Sequence, residues 1–441
     1  MGAGPAGIYA ADILDKSDVS GGVVVDLFER MPAPFGLIRY GVAPDHPRIK
    51  GIVTALHKVL DKPNIRLLGN IDYGTDIKLD ELREFYDAVI FSTGASADRA
   101  LDIPGVDLDG SYGAADFVSW YDGHPDVPRT WPLTASSVAV LGVGNVALDV
   151  ARILAKTADE LLTTDIPDNV YQGLKTSPIT DVHVFGRRGP AQAKFTPLEL
   201  RELDHSPNVE VIVSPEDIEF DDGSIAALRA SKQIDMVVKT LQEWAIRDPG
   251  TRQRRLHLHF FHSPVSVLGA DGRVSGLRTE RTELTGDGNV RGTGEFHDWD
   301  VQAVYRAVGY LSSHLPELPF DHVAGVVPNQ AGRVLDLDEN QLPGVYVTGW
   351  IKRGPVGLIG HTKGDAAETI ASLLSDADTL TAPKYASPDA ILDFLAARGI
   401  PFTTWEGWGK LDAHEKSLGL AAGRERIKVV EREEMTRVSR G

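Results

Sequence analysis

The segment "VAVLGVGNVALDVARIL" (138–154) narrows the possible folds more than any other: an apolar strand runs into a glycine turn and then a helix. Gly142-Val143-Gly144-Asn145-Val146-Ala147 has the form Gly-x-Gly-x-x-Ala. The first glycine permits a tight turn, the second lets backbone approach a diphosphate, and the small last residue lets the helix pack closely on the sheet. The helix N-terminus offers unpaired N–H groups and a partial positive charge to an anion. A second such turn, Gly2-Ala3-Gly4-Pro5-Ala6-Gly7, opens the chain with only Met1 before it. Strands of this kind alternating with helices predict a parallel α/β sheet.

The residue that ends the next strand separates the two turns chemically. "GGVVVDLFER" (21–30) closes on Glu29, where a carboxylate accepts both hydroxyls of an adenosine ribose and so selects FAD or NAD. The alternative is a solvated strand-end acid. "DVHVFGRRG" (181–189) closes on Arg187 and Arg188, a pair able to hold a 2′-phosphate bidentately; the alternative is a surface pair. One site for a plain ribose and one for a phosphorylated ribose point to a flavoprotein that passes hydride from NADPH to FAD.

Two further strands, "DAVIFSTGA" (87–95) and "GVYVTGW" (344–350), and the length of 441 residues imply at least two domains. Turn-rich stretches at 102–113, 121–134 and 325–345 read as crossings between them. The expected fold is therefore two doubly wound, Rossmann-like dinucleotide-binding domains. Residues 1–106 and 332–441 form the FAD domain, and 107–331 form an NADP domain inserted into it. A net charge of −18 argues against nucleic acid as a partner. The absence of cysteine removes disulfides, thiolate-bound metals, iron–sulfur clusters and dithiol redox chemistry from this chain. No apolar run suggests a membrane span and no leader is apparent, so a cytoplasmic protein is expected. "HLHFFH" (257–262) places His257 and His259 on one strand face, but no third ligand follows at a useful spacing and no metal is expected.

Four stretches, "FERMPAPFGLIRYGVAPDHPRIK" (28–50), "GVGNVALDVARIL" (142–154), "GRRGPAQAKFTPLELREL" (186–203) and "TGWIKRGPVGLIGHTKGDAAETI" (348–370), resemble the signatures of adrenodoxin reductase-type ferredoxin–NADP reductases. The resemblance implies that Gly2, Gly4, Pro5, Ala6, Gly7, Glu29, Leu37 and Ile71 face the adenosine half and diphosphate of FAD. Trp350, Gly357, Leu358 and Ile359 would lie at the flavin end, although Trp350 read alone fits core packing equally well. Val143, Gly144, Asn145 and Val146 would cradle the NADP diphosphate, Arg187 and Arg188 the 2′-phosphate, and Glu199 the nicotinamide-side ribose, with Gly357 beside NADP. His46 and Asp149 are the candidate catalytic groups. The other readings are a turn histidine capping backbone and an intrahelical pair of Asp149 with Arg152. His361-Thr362 stands where the family more often has Thr-Asn. The implied partner is a ferredoxin; such partners are usually acidic, and the basic residues clustered near these motifs, Arg39, Lys50, Lys232, Lys239, Lys352 and Arg353, are the docking candidates.

In that family a central strand precedes the first glycine turn. The sequence reading therefore expects that strand to be missing here, together with any fused iron–sulfur domain upstream, and expects FAD to be held poorly. Two other functions are weighed: a non-catalytic NADPH-binding sensor, and an electron-transfer flavoprotein like the small subunit of glutamate synthase.

Overall fold

The structure, a computed structural model, describes residues 1–20, 22–248, 250–355 and 359–441. The chain divides into two compact units. One comprises Met1–Ala97, Asp122–Pro125 and Tyr310–Gly441; the other comprises Asp98–Tyr121 and Asp126–Gly309. These limits lie upstream of the boundaries expected at 106/107 and 331/332. The stretches read as crossings are partly sheet: Ser111–Gly113, Arg333–Leu335 and Gln341–Val347 are strands. Their turn-rich composition reflects short strands between tight turns, which composition alone does not separate from a linker. No helix among the described residues is long and apolar enough to cross a membrane.

In the first unit, Val25–Glu29 pairs in parallel with Ile65–Gly69. A second sheet has Val89–Phe91 parallel to Gln341–Val347, followed by antiparallel Arg333–Leu335 and Asn329–Gln330. Met1 and Gly2 bridge the two. The Met1 nitrogen donates to the Ile90 carbonyl at 2.7 Å, Ser92 N–H to the Met1 carbonyl at 2.8 Å, and Gly2 N–H to the Phe28 carbonyl at 2.7 Å. Helix Pro5–Asp15 starts where Gly4, in an extended conformation, is followed by Pro5, whose missing N–H costs nothing at a first helical position. It packs on helix Ile359–Ser375 through Ala10, Ala366 and Ile370.

That second helix is tied down at its end. Arg333 donates two N–H groups to Asp376, at 2.7 and 2.9 Å, and Tyr346 donates its hydroxyl at 2.9 Å. Arg333 holds the Asp376 carboxyl at about 2, below its ordinary 3.8. A carboxyl depressed on folding contributes stability that is full above pH 4 and is lost as pH falls toward 2. Near the surface, solvent screening holds the contribution to about 1 kcal/mol. Urea unfolding at pH 5, 4 and 3 should show Arg333→Leu less stable than wild type at pH 5, with the gap closing toward pH 3. A gap that stays constant would mean that the ion pair is not its source.

The second unit is built on a six-stranded sheet in the order Ser111–Gly113, Ala303–Arg306, Ser137–Leu141, Asp181–Phe185, Arg254–His259, Val209–Val213. Every pairing in it is parallel. Val138 to Leu141 are all fully buried, as expected of a strand covered on both faces. The strand order reverses around Ser137–Leu141, and this is where open α/β sheets place a ligand, outside the carboxyl ends of the strands. Helix Asn145–Ala155 follows directly and is buried from Ala147 onward. A three-stranded antiparallel sheet, His262–Ala270, Arg273–Leu284 and Val290–Trp299, packs Val267, Leu277 and Trp299 against Ala139, Leu141 and Phe185.

Candidate functional site

The first glycine turn is assembled by close backbone approach. Gly2 has φ +106, and a Cβ there would meet the Ser92 carbonyl oxygen at 2.6 Å. A Cβ on Gly7 would fall 2.1 Å from the Gly2 carbonyl oxygen, and one on Gly349 would fall 2.7 Å from Ala6 Cβ. Gly36, in the left-handed region, brings its backbone against Gly4 and so delivers Leu37, half-buried, beside the turn. Glu29 closes its strand with both carboxylate oxygens on backbone, accepting from Ala3 N–H at 2.9 Å and Met31 N–H at 3.0 Å. Burial raises its carboxyl above the ordinary value against those donors. Each oxygen keeps a second lone pair for a hydroxyl.

Not every expected residue reaches this turn. Ile71 has no accessible surface; it packs among Phe28, Leu68 and Phe91, so the expected adenosine contact is corrected to a core role. Trp350 is half-buried at the start of the short helix Trp350–Arg353. Gly357 and Leu358 lie outside the described residues, and of Ile359 only the backbone, at the start of its helix, is described. His46 is buried at the N-cap of Pro47–Lys50, its carbonyl accepting from Ile49 and Lys50. His361 is exposed and Thr362 buried.

The second turn is organised by the loop that follows the arginine pair. Gly142 has φ +133, and a Cβ there would meet the Ala307 carbonyl oxygen at 2.3 Å. A Cβ on Gly144 would meet nothing within 4 Å, so the helix N-terminus it caps is open to a ligand. Lys194 N–H donates to the Val143 carbonyl at 2.8 Å, and Thr196 N–H to Asn145 Oδ1 at 2.9 Å. These two bonds draw the 186–199 segment over the turn, with Val146 half-buried next to it. Asp149, Arg152 and Glu199 form a buried charged group. Arg152 donates to Asp149 at 2.8 Å and lies 3.8 Å from Glu199. Asp149 and Arg152 thus make the intrahelical pair that their spacing allows.

Arg187 is exposed and Arg188 half-buried, and both line a cleft of about 300 Å³. Its other side comes from the antiparallel sheet and the turn between its last two strands: Ser263, Glu280, Thr282 and Arg291, with Asn289 in the turn. The cleft has three guanidiniums against one carboxylate, and Glu280 already accepts from Gly294 N–H at 2.9 Å. Sequence reading missed this second wall because nothing local connects strands so far from the arginines. A larger cleft of about 460 Å³, beside Ile218 and Ile246, offers Lys239 and Glu243 with no convergent set of donors, and it carries no comparable chemistry.

His183, on the neighbouring strand, joins His257 and His259, a residue the sequence reading did not bring in. Its ring stacks on His257 with centroids 4.4 Å apart and planes 9° apart, a geometry in which in-plane lone pairs do not converge. His183 Nδ1 and His259 Nε2 hydrogen-bond at 3.0 Å, and Asp181 takes His257 Nε2 at 3.0 Å. Burial lowers all three, His183 to about 4 and His259 to about 2.

The basic residues expected to dock a partner divide sharply. Arg39 is buried against Glu415, and Lys352 is buried between Asp365 at 3.0 Å and Glu368 at 2.5 Å. Both are structural and leave the docking set, because a long cation with apolar neighbours is stable inside only when paired. Lys50 is tied to Asp122 at 3.4 Å, Lys239 to Asp235 at 2.8 Å, and half-buried Arg353 lies 3.7 Å from Asp365. Lys232 is exposed.

Two Rossmann-like units in one chain, with an acid after the first turn and paired arginines after the second, define an oxidoreductase that uses two dinucleotides. A family model described as pyridine nucleotide-disulphide oxidoreductase matches residues 1–183. The chain is 40% identical over 458 residues to the NADPH-ferredoxin reductase FprA of Mycobacterium tuberculosis, covering 100% of this chain and 98% of that protein. It is 39% identical over 454 residues to the mitochondrial NADPH:adrenodoxin oxidoreductase of Arabidopsis thaliana, covering 99% and 93%. The solved structure of Mycobacterium tuberculosis FprA in complex with NADPH superposes with a TM-score of 0.92 at 39% identity, over 100% of this chain and 98% of that one. The chain belongs to the adrenodoxin reductase-type ferredoxin–NADP reductases.

Proposed function

We propose that this protein is a cytoplasmic ferredoxin–NADP reductase, moving hydride from NADPH to FAD and then single electrons to a ferredoxin. The observation that carries the reading is the opposite ribose chemistry of the two turns in a chain related over its full length to FprA. The first turn fits FAD. No side chain caps helix Pro5–Asp15, and a Cβ on Gly36 would come within 3.1 Å of Gly4, filling the space a diphosphate needs. Its diphosphate would lie on the Gly4–Gly7 backbone and its ribose on Glu29, with Leu37 alongside and Trp350 covering the flavin end.

When bound, FAD accepts two electrons as hydride and releases them one at a time. The protein supplies no nucleophile; its residues bind, orient and exclude water. Gly144, Asn145 and Val146 would hold the NADPH diphosphate on the helix N-terminus, and Arg187 and Arg188 the 2′-phosphate. Glu199 would accept a hydroxyl of the nicotinamide-side ribose. Asp149 fixes Arg152, and His46 would hold a proton at the flavin end.

The test is anaerobic addition of NADPH to the FAD-loaded protein. The expected result is bleaching of flavin absorbance near 450 nm, turnover with ferricyanide, and cytochrome c reduction only with added ferredoxin. Binding of NADPH without bleaching would favour the sensor reading and overturn this one. Ferricyanide turnover without ferredoxin-dependent reduction would overturn the partner.

A further inference from the structure

We infer that the antiparallel sheet of the second unit supplies specificity for the phosphorylated ribose, with Thr282 positioning Arg187 and Arg291 acting as a third guanidinium for the 2′-phosphate. The inference rests on the reading that this cleft takes NADPH, and it assigns the part of the cleft that the arginine pair does not build.

The loop carrying the pair has no regular structure of its own between strand Asp181–Phe185 and the short turn at Pro190. Its shape is imposed from the neighbouring strand and its continuation. Gly186 N–H donates to the His259 carbonyl at 2.8 Å, and His262 N–H returns to the Gly186 carbonyl at 3.0 Å. Between these bonds the chain reverses at Phe261, which has φ +60. A bulky residue in the left-handed region costs on the order of 1 kcal/mol or more and persists only where its surroundings hold it there. Here the Phe261 ring lies under Gly189, where a Cβ would approach it to 2.5 Å, and its carbonyl accepts from Thr282 N–H at 2.8 Å.

Thr282 completes the clamp. It is 6% exposed, and its hydroxyl donates to the Arg187 carbonyl at 2.7 Å. A single residue on the second sheet therefore bonds both the strained Phe261 and the backbone of the arginine that faces the cleft. The link fixes the backbone from which the Arg187 side chain leaves before a ligand arrives, and such preorganisation lowers the cost of binding.

Arg291 lies on the same cleft, next to Asn289. Its Nε donates to Glu283 at 2.7 Å, which holds the side chain up while leaving its terminal N–H groups for another acceptor. A 2′-phosphate has three acceptor oxygens, and two bidentate guanidiniums leave some of their lone pairs open to a third donor. An unphosphorylated ribose gives Arg291 nothing to bind, so its effect falls on discrimination between the coenzymes.

The experiment compares wild type, Thr282→Val, Thr282→Ser and Arg291→Ala in two readouts: Kd for 2′,5′-ADP by calorimetry, and kcat and KM for NADPH and NADH with ferricyanide. Thr282→Val keeps the branched shape and removes the hydroxyl. It should weaken 2′,5′-ADP by about 5-fold, with the loss appearing in the KM for NADPH more than in kcat, and Thr282→Ser should restore it. Arg291→Ala should weaken 2′,5′-ADP by about 10-fold at low salt and by less at 0.5 M salt. A wild type without preference for NADPH would refute the functional reading itself. A wild type that prefers NADPH, with Thr282→Val and Arg291→Ala binding 2′,5′-ADP as tightly as it does, would overturn the inference alone. Failure of Thr282→Ser to recover what Thr282→Val loses would overturn the positioning role.

Discussion

Replacing Arg187 and Arg188 together with alanine should lower kcat/KM for NADPH by about 10²- to 10⁴-fold, far more than it lowers the value for NADH. Each guanidinium forms charge-assisted hydrogen bonds worth roughly 1.5–3 kcal/mol, and two such losses span that range. Among the described residues neither guanidinium has a hydrogen bond or ion pair within the protein, so their removal leaves no buried charge behind. The substitution should therefore leave thermal stability nearly unchanged, within about 0.5 kcal/mol, as for surface positions generally. Steady-state kinetics with both coenzymes and a melting curve check both halves. An unaltered coenzyme preference would remove the second turn from NADP chemistry.

The second large effect is on stability. Glu415 is completely buried and accepts from Arg39 with both oxygens, at 3.0 and 2.5 Å. It also takes Arg426 at 3.1 Å and the Val429 N–H at 3.0 Å. The buried Arg39 guanidinium lies over the rings of Tyr40 and Trp408, at 5.3 and 5.2 Å. Glu415→Leu would strand a buried cation that cannot lose its proton. The expected cost is about 3–5 kcal/mol, because breaking one side of a buried pair leaves its partner uncompensated. Arg426 keeps Asp412 at 2.7 Å, so the damage centres on Arg39. Adding Arg39→Met to Glu415→Leu should recover most of the loss, since an apolar pair of similar volume avoids both desolvation penalties. Urea unfolding of the three variants decides the matter. A double variant no better than Glu415→Leu alone would mean that packing, rather than charge, dominates.

Arg39 also shows how far a motif can be read. It lies in "FGLIRYGVAPDHP", a stretch that marks the family, and a cation beside a cofactor motif suggests a docking surface. The structure puts it inside, held by a glutamate 376 positions away. Lys352 repeats the pattern with Asp365 and Glu368. In both cases the charge was visible and its environment was not. Ile71 differs in the opposite direction: expected against the adenosine, it fills the core.

The sequence alone determined the two turns, the helices that start in them, and the acid and arginines that follow the next strand of each. These are local properties: a glycine's missing Cβ, a helix N-terminus and a strand's last residue act within one strand–turn–helix unit and the strand after it. Tertiary structure decided which cations are buried, which apolar residue is core, and that Thr282 and Arg291 complete the wall facing Arg187. Those outcomes depend on pairing between strands distant in the chain, where the energy comes from desolvation and packing against neighbours that no short segment contains.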